Sequence, residues 1–153
     1  MAETSKTDNA ERGYTLTRVF DAPRELVWKA WTEADQFAQW FGGPGTEWEN
    51  LTMDARPGGT WGGIMVVPDG PRIPWSFRFE ELDHPARLVV AVVDQPVLGD
   101  EFDLLTVTFA DVGGKTEMVL RQSGGHLTDE QYQQAKEGTA SFLDRMAELV
   151  QKG

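Results

Sequence analysis

The chain offers few side chains suited to nucleophilic, acid–base or metal chemistry: two histidines, His84 and His126, and no cysteine. Zinc sites draw three or four Cys, His or carboxylate ligands from close spacings. Two distant histidines do not supply that, so no metal site is assigned. His84 sits in Asp83-His84-Pro85 and reads as turn surface. His126 follows Gly124-Gly125. It is either a general base at the mouth of a cavity or an incidental loop residue. The carboxylates cluster locally, as Glu80-Glu81, Asp100-Glu101-Asp103 and Asp129-Glu130. That pattern reads as solvated strand ends and charge at a helix N-terminus, not as a paired acid and base. Gln122 is the more informative polar residue. It shares its strand face with Met118 and Leu120 and is expected to point inward, where an unpartnered polar group costs ~1–3 kcal/mol. It either orients a ligand carbonyl or hydroxyl or bonds nearby backbone. Nothing matches a G-x-S-x-G elbow, a phosphate-binding loop or a dinucleotide fingerprint. No catalytic residue and no cofactor is assigned. A cavity enzyme of cyclase, dehydratase or hydrolase type has only Gln122, His126 and Tyr132 to draw on.

Composition narrows the partners. The formal net charge is -11 and the pI about 4.5. Such a surface repels phosphate backbones and anionic bilayers, which disfavours nucleic acid and membrane surfaces. No run approaches the ~20 apolar residues of a membrane span, so stable membrane insertion is not expected. The first twelve residues are polar and read as a flexible tail without a secretory signal. Residues 13–153 read as one domain. Absence of cysteine suits a cytoplasmic protein. Six tryptophans supply large apolar bodies for a core or a pocket wall.

These residues must be positioned by the elements around them. Thr128 to Val150 is the longest periodic stretch. Tyr132, Ala135, Thr139, Phe142, Leu143, Met146, Leu149 and Val150 fall on one helical stripe. Thr128 and Gln131 form a capping box. Before it, Tyr14–Phe20 alternates as a strand. Pro23 is expected at the first position of a short helix, Arg24–Trp31. Thr32 is expected to cap a second, Glu33–Phe41, which Gly42-Gly43-Pro44-Gly45 ends. Six strands follow: Trp48–Asp54, Thr60–Val67, Pro74–Leu82, Arg87–Asp94, Glu101–Ala110 and Thr116–Gln122. Arg87–Asp94, nearly all apolar, is expected at the centre. Gly113-Gly114 signals a hairpin. The order is β-α-α-β-β-β-β-β-β-α, an α+β chain. An antiparallel sheet must bury one face, and the long helix must bury its stripe. The helix is therefore expected across the concave side of the sheet.

Alternation names the residues facing the helix: Trp61, Met65, Trp75, Phe77, Phe79, Val90, Val92, Val107, Phe109, Met118 and Leu120. Trp31, Phe37, Trp40 and Phe41 are placed to close the mouth, with Phe142 and Met146 contributed by the helix. The candidates for ligand contact are Trp31, Trp40, Trp61, Met65, Trp75, Phe77, Phe79, Phe109, Met118, Gln122 and Phe142. The same residues serve equally as plain core. The two readings differ in whether a void remains between sheet and helix.

Several stretches together resemble one family: Phe20–Gly42 (FDAPRELVWKAWTEADQFAQWFG), Asp54–Trp61 (DARPGGTW), Ser76–Leu82 (SFRFEEL), Thr106–Gly124 (TVTFADVGGKTEMVLRQSG) and Glu137–Leu149 (EGTASFLDRMAEL). In this order they are similar to the activator of heat-shock-protein-90 ATPase homologue family, within the START-like, helix-grip (SRPBCC) superfamily. The resemblance spans about residues 14 to 150. It implies a seven-stranded antiparallel sheet wrapped around the C-terminal helix, as in the birch-pollen-allergen-like fold, with an elongated cavity between them. It also implies a small apolar or amphipathic ligand there, lipid-like, sterol-like or polyketide-like. A chaperone partner is implied only through a eukaryotic co-chaperone whose extra N-terminal domain has no counterpart here. Many relatives carry Gly-Trp where this chain has Gly138-Thr139. Thr139 therefore joins the ligand-contact candidates: either the cavity is wider there, or another aromatic such as Phe142 fills the space.

Overall fold

In a computed structural model, described for residues 13–41, 45–68, 70–93, 103–125 and 127–152, seven strands form a single antiparallel sheet. The strands are β1 (Gly13–Phe20), β2 (Glu47–Met53), β3 (Thr60–Val66), β4 (Arg72–Asp83), β5 (Arg87–Val93), β6 (Asp103–Val112) and β7 (Lys115–Ser123). Helices α1 (Arg24–Thr32) and α2 (Ala34–Trp40) follow β1, and α3 (Asp129–Lys152) ends the chain. The sheet order is β1-β7-β6-β5-β4-β3-β2, each pair antiparallel. β5 lies fourth of seven, in keeping with its run of apolar residues, of which Leu88, Val90 and Ala91 are fully buried.

Strand alternation decides which face meets α3. In β6, Asp103, Leu105, Val107 and Phe109 are buried while the residues between them are half-exposed. In β7 the buried set is Thr116, Met118, Leu120 and Gln122. Arg78 points the other way and pairs with Glu80 at 2.7 Å. The β6–β7 hairpin turns at Gly113-Gly114, whose φ values of 64° and 87° lie in the left-handed region that suits glycine.

The 24-residue α3 is about 36 Å long at 1.5 Å per residue. Its start is fixed by the capping box. The Gln131 amide donates to Thr128 Oγ1 at 3.1 Å, and the Thr128 amide donates to Gln131 Oε1 at 2.9 Å. Leu143, Met146 and Val150 enter the core. Arg18 of β1 donates to Asp144 at 2.8 Å, and Arg145 donates to the Gln39 carbonyl at 3.0 Å. These contacts tie the helix to the first strand and to α2.

Two expected caps are corrected. Pro23 is itself the N-cap of α1, with ψ 157°, not its first helical residue. Thr32 does not cap α2. It belongs to α1, and its hydroxyl donates back to the Trp28 carbonyl at 3.0 Å. A β-extended Glu33 without a side-chain cap bond precedes α2. Thr32 lies one residue before the N-cap of α2, so its hydroxyl is not placed to accept from that helix's first N–H groups.

Candidate functional site

Beyond the buried Tyr132 in its first turn, the early half of α3 turns small residues toward the sheet. Ala135, Gly138 and Thr139 roof a cavity of about 280 Å³. A Cβ added at Gly138 would meet nothing within 4 Å. The later half presents Leu143 and Met146, both fully buried, and closes down on the sheet. The void is therefore a consequence of side-chain volume along one helix stripe. Its floor is Tyr14 of β1, Trp75 and Phe77 of β4, Val92 of β5, Leu105 of β6, and Leu120 and Gln122 of β7. Trp31 of α1, with Trp40 and Phe41 at the end of α2, walls one side. Leu127 and Phe142 complete the boundary.

The wall is apolar except at one end. Tyr14 and Gln122 are paired across β1 and β7, and Gln122 is paired with Leu105 across β7 and β6. Opposed residues on one face of a sheet lie close, with Cβ atoms ~4.5–5.5 Å apart. Above them Thr139 Oγ1 and Tyr14 Oη share a hydrogen bond of 3.0 Å. Behind them is a buried carboxylate. Gln122 Nε2 donates to Asp103 Oδ2 at 3.0 Å, and the Tyr132 hydroxyl donates to the same oxygen at 2.7 Å. The Gly125 amide in turn donates to Tyr132 Oη at 2.8 Å. Asp103 has no exposed surface and Tyr132 is 3% exposed. Two donors converging on one oxygen is what an ionised carboxylate accepts. It also fixes the Gln122 amide with nitrogen toward Asp103 and oxygen away.

Burial pushes the Tyr132 hydroxyl above its ordinary value, reinforced by its bond to Asp103 and by that charge, against backbone bonds to Leu127 and Gly125. Burial likewise raises Tyr14. The Thr139 bond opposes the rise, and the Asp103 charge adds to it. Both phenols are held neutral well into alkaline conditions.

Seven of the twelve ligand-contact candidates meet at this cavity: Trp31, Trp40, Trp75, Phe77, Gln122, Thr139 and Phe142. The other five do not line it. Trp61 and Phe79 are buried in an aromatic cluster. Trp61 stacks on Phe77 at 3.9 Å and receives the Phe37 ring edge-on at 4.5 Å. Met65, Phe109 and Met118 are packed core. Alternation gave these five the correct face, but the space above them is filled. Sequence reasoning missed Tyr14 and Leu105 as cavity wall, although both share parity with buried neighbours. Asp103 is a correction. Charge clustering groups it with Asp100 and Glu101 as a solvated strand end, yet it lies in phase with Leu105 and is fully buried. His126 lies outside the described residues. His84 is on the surface, 3.0 Å from Glu25 and edge-on to Trp28.

The indole N–H groups of Trp31 and Trp75 have no hydrogen-bond partner among the described residues, and essentially no exposed surface. Trp40 instead donates to the Ala30 carbonyl at 2.7 Å. Among the described residues no group of three His, Asp or Glu is placed to hold a metal ion, and no helix is long and apolar enough to cross a membrane.

Comparison with known proteins agrees with this architecture. The family model described as activator of Hsp90 ATPase homolog 1-like protein matches residues 21–151. A crystal structure of a Chromobacterium violaceum protein superposes with a TM-score of 0.78 at 24% identity, covering 90% of this chain and 96% of that one. One from Nitrosomonas europaea gives 0.76 at 21%, covering 91% and 94%. A solution structure from Arthrobacter aurescens gives 0.78 at 21%, covering 95% and 90%. At these identities the likeness shows the fold. Comparison with curated proteins gives no match.

Proposed function

Because the chain belongs to the activator of Hsp90 ATPase homolog 1-like family, with its START-like, helix-grip fold, we propose that it binds a small apolar or amphipathic molecule between sheet and α3. The observation that carries this reading is the cavity itself: about 280 Å³, walled by aromatic and aliphatic side chains, with polar groups gathered at one end. That is the usual composition of a small-molecule site, though its volume falls just under the ~300–1,000 Å³ of most such pockets. Affinity comes chiefly from apolar burial, at roughly 25 cal/mol per Å². A cytoplasmic location is part of the same proposal, resting on the cysteine-free sequence.

A cavity enzyme is the second reading, and the buried carboxylate of Asp103 is the observation in its favour. Asp103, however, does not line the cavity, and Gln122 stands between the two. A chaperone-binding role calls for an exposed apolar patch of several hundred Å². The exposed large apolar residues among those described are Val19 and Val112.

Trp31, Trp40 and Trp75 on the wall provide the test. Titration with a fatty acid, a sterol and small aromatic compounds is expected to change tryptophan fluorescence saturably for at least one class. No saturable change with any of them contradicts the reading.

A further inference from the structure

The polar end of the cavity has an unfilled hydrogen-bonding pattern, and that pattern specifies a chemical group. Gln122 is 9% exposed and lines the cavity. Its nitrogen is committed to Asp103, and among the described residues its Oε1 accepts no hydrogen bond. It is thus an acceptor held in place from behind and aimed away from its anchor. Directly across the strand pair, Tyr14 shares one hydrogen bond with Thr139. Two hydroxyls carry two protons and that bond uses one, so one O–H donor is left over. The site therefore offers one acceptor and one donor from paired positions on neighbouring strands.

We propose that the cavity selects a small, neutral molecule of one or two rings bearing a hydroxyl group, which donates to Gln122 Oε1 and accepts from the Tyr14–Thr139 pair. This deepens the binding reading above and rests on it. An alcohol or phenol satisfies both protein groups with one oxygen. An ether or ester satisfies only the donor and leaves Gln122 Oε1 shut off from water without a partner, which is penalised. A carboxylate fares worse. No residue lining the cavity is cationic, and Asp103 lies 3.0 Å behind the Gln122 amide. An anion at this point would meet a fixed acceptor and a like charge in a medium that screens poorly. The volume of about 280 Å³ sets the ring count, because long acyl chains and four-ring sterols need more room.

The test is a calorimetric titration of the full chain with 2-naphthol, 2-methoxynaphthalene and 2-naphthoate. These share one ring system and differ in the group at the polar end. The expected result is that 2-naphthol binds about tenfold more tightly than 2-methoxynaphthalene, equivalent to ~1.4 kcal/mol, and that 2-naphthoate binds more weakly than either. In Gln122→Met, 2-naphthol and 2-methoxynaphthalene are expected to bind within about twofold of one another. Equal binding of all three to the native chain overturns the hydroxyl assignment and leaves the binding reading standing. Tightest binding of 2-naphthoate overturns it too. A full naphthol preference retained in Gln122→Met removes Gln122 from the account. Should that variant fail to fold, the native series alone decides. Failure of all three to bind, with a saturable signal from another ligand class, rejects the hydroxyl proposal. With no saturable ligand of any class, both readings fall.

Discussion

The two halves of α3 cover the same sheet in opposite ways. Toward the C-terminus, Leu143, Met146 and Val150 reach down among buried core side chains. Toward the N-terminus, Ala135, Gly138 and Thr139 stop short, and an apolar hollow remains beneath them. The sheet contributes large apolar residues in both places. The difference therefore lies in helix side-chain volume, and the helix can be anchored firmly at one half while the other remains open. The polar groups follow the same division. Asp103, Gln122, Tyr132, Tyr14 and Thr139 gather at the open end. Away from the hollow the core is held by ring packing such as Phe37 edge-on to Trp61 at 4.5 Å and Trp61 on Phe79 at 5.7 Å.

The largest effect expected from this contrast is in stability. Phe79 is fully buried away from the cavity. Phe79→Ala should lose ~3–5 kcal/mol of unfolding free energy, whereas Phe142→Ala, beside the existing void, should lose less than half of that. Urea denaturation of both variants measures it, and equal losses would break the distinction. Next is a filling experiment. Thr139→Trp places a large ring where the roof is small and should weaken binding of any cavity ligand at least tenfold, with stability unchanged or raised. Leu143→Trp, in the filled half, should instead cost ~1–3 kcal/mol by overpacking.

Alkaline stability sharpens the view of the polar end. Tyr14 and Tyr132 are raised above 10.0 in the folded chain. The unfolded state therefore loses its phenolic protons first as pH rises. Their contribution is full below pH ~10 and is lost between that value and the higher folded one, with a slope of at most ~1.4 kcal/mol per pH unit for each group. Urea midpoints from pH 8 to 11 should fall, and Tyr132→Phe should flatten the fall. An unchanged slope in that variant would show that Tyr132 is not so held. The smallest effect is at Gly138. A methyl group there meets no atom, so Gly138→Ala should stabilise the chain by ~0.5–1 kcal/mol through helix propensity. Destabilisation would mean that the space under Gly138 is occupied.

Much of this was legible in the sequence. The strand alternation of β3 to β7, the long capped helix and the order of elements all follow from local patterns, and they place the inward residues on the right face. Strand parity, however, reports face and not depth. It cannot distinguish Phe79, buried under packed rings, from Trp75, which borders the hollow, because that depends on which helix residue lies above. Thr139 was the readable clue, a small residue on the inward stripe of the last helix. Asp103 was misread because charge clustering outweighed parity: Asp100-Glu101-Asp103 looks like surface, yet only parity with Leu105 and Val107 tells that the third carboxylate turns inward. Tyr14 was placed on a strand but not at the site, because its partner Thr139 is 125 residues away. The Thr32 cap failed because α1 extends through Thr32 and leaves Glu33 as the N-cap of α2.

The central claim, that a small guest occupies the hollow under the early half of α3, is tested most directly by methyl NMR during titration with 2-naphthol. Val92, Leu105, Leu120 and Ala135 border the hollow, while Leu88, Val107, Leu143 and Met146 do not. The account predicts saturable shifts in the first group and little change in the second. Shifts confined to the second group, or spread evenly over both, would contradict it.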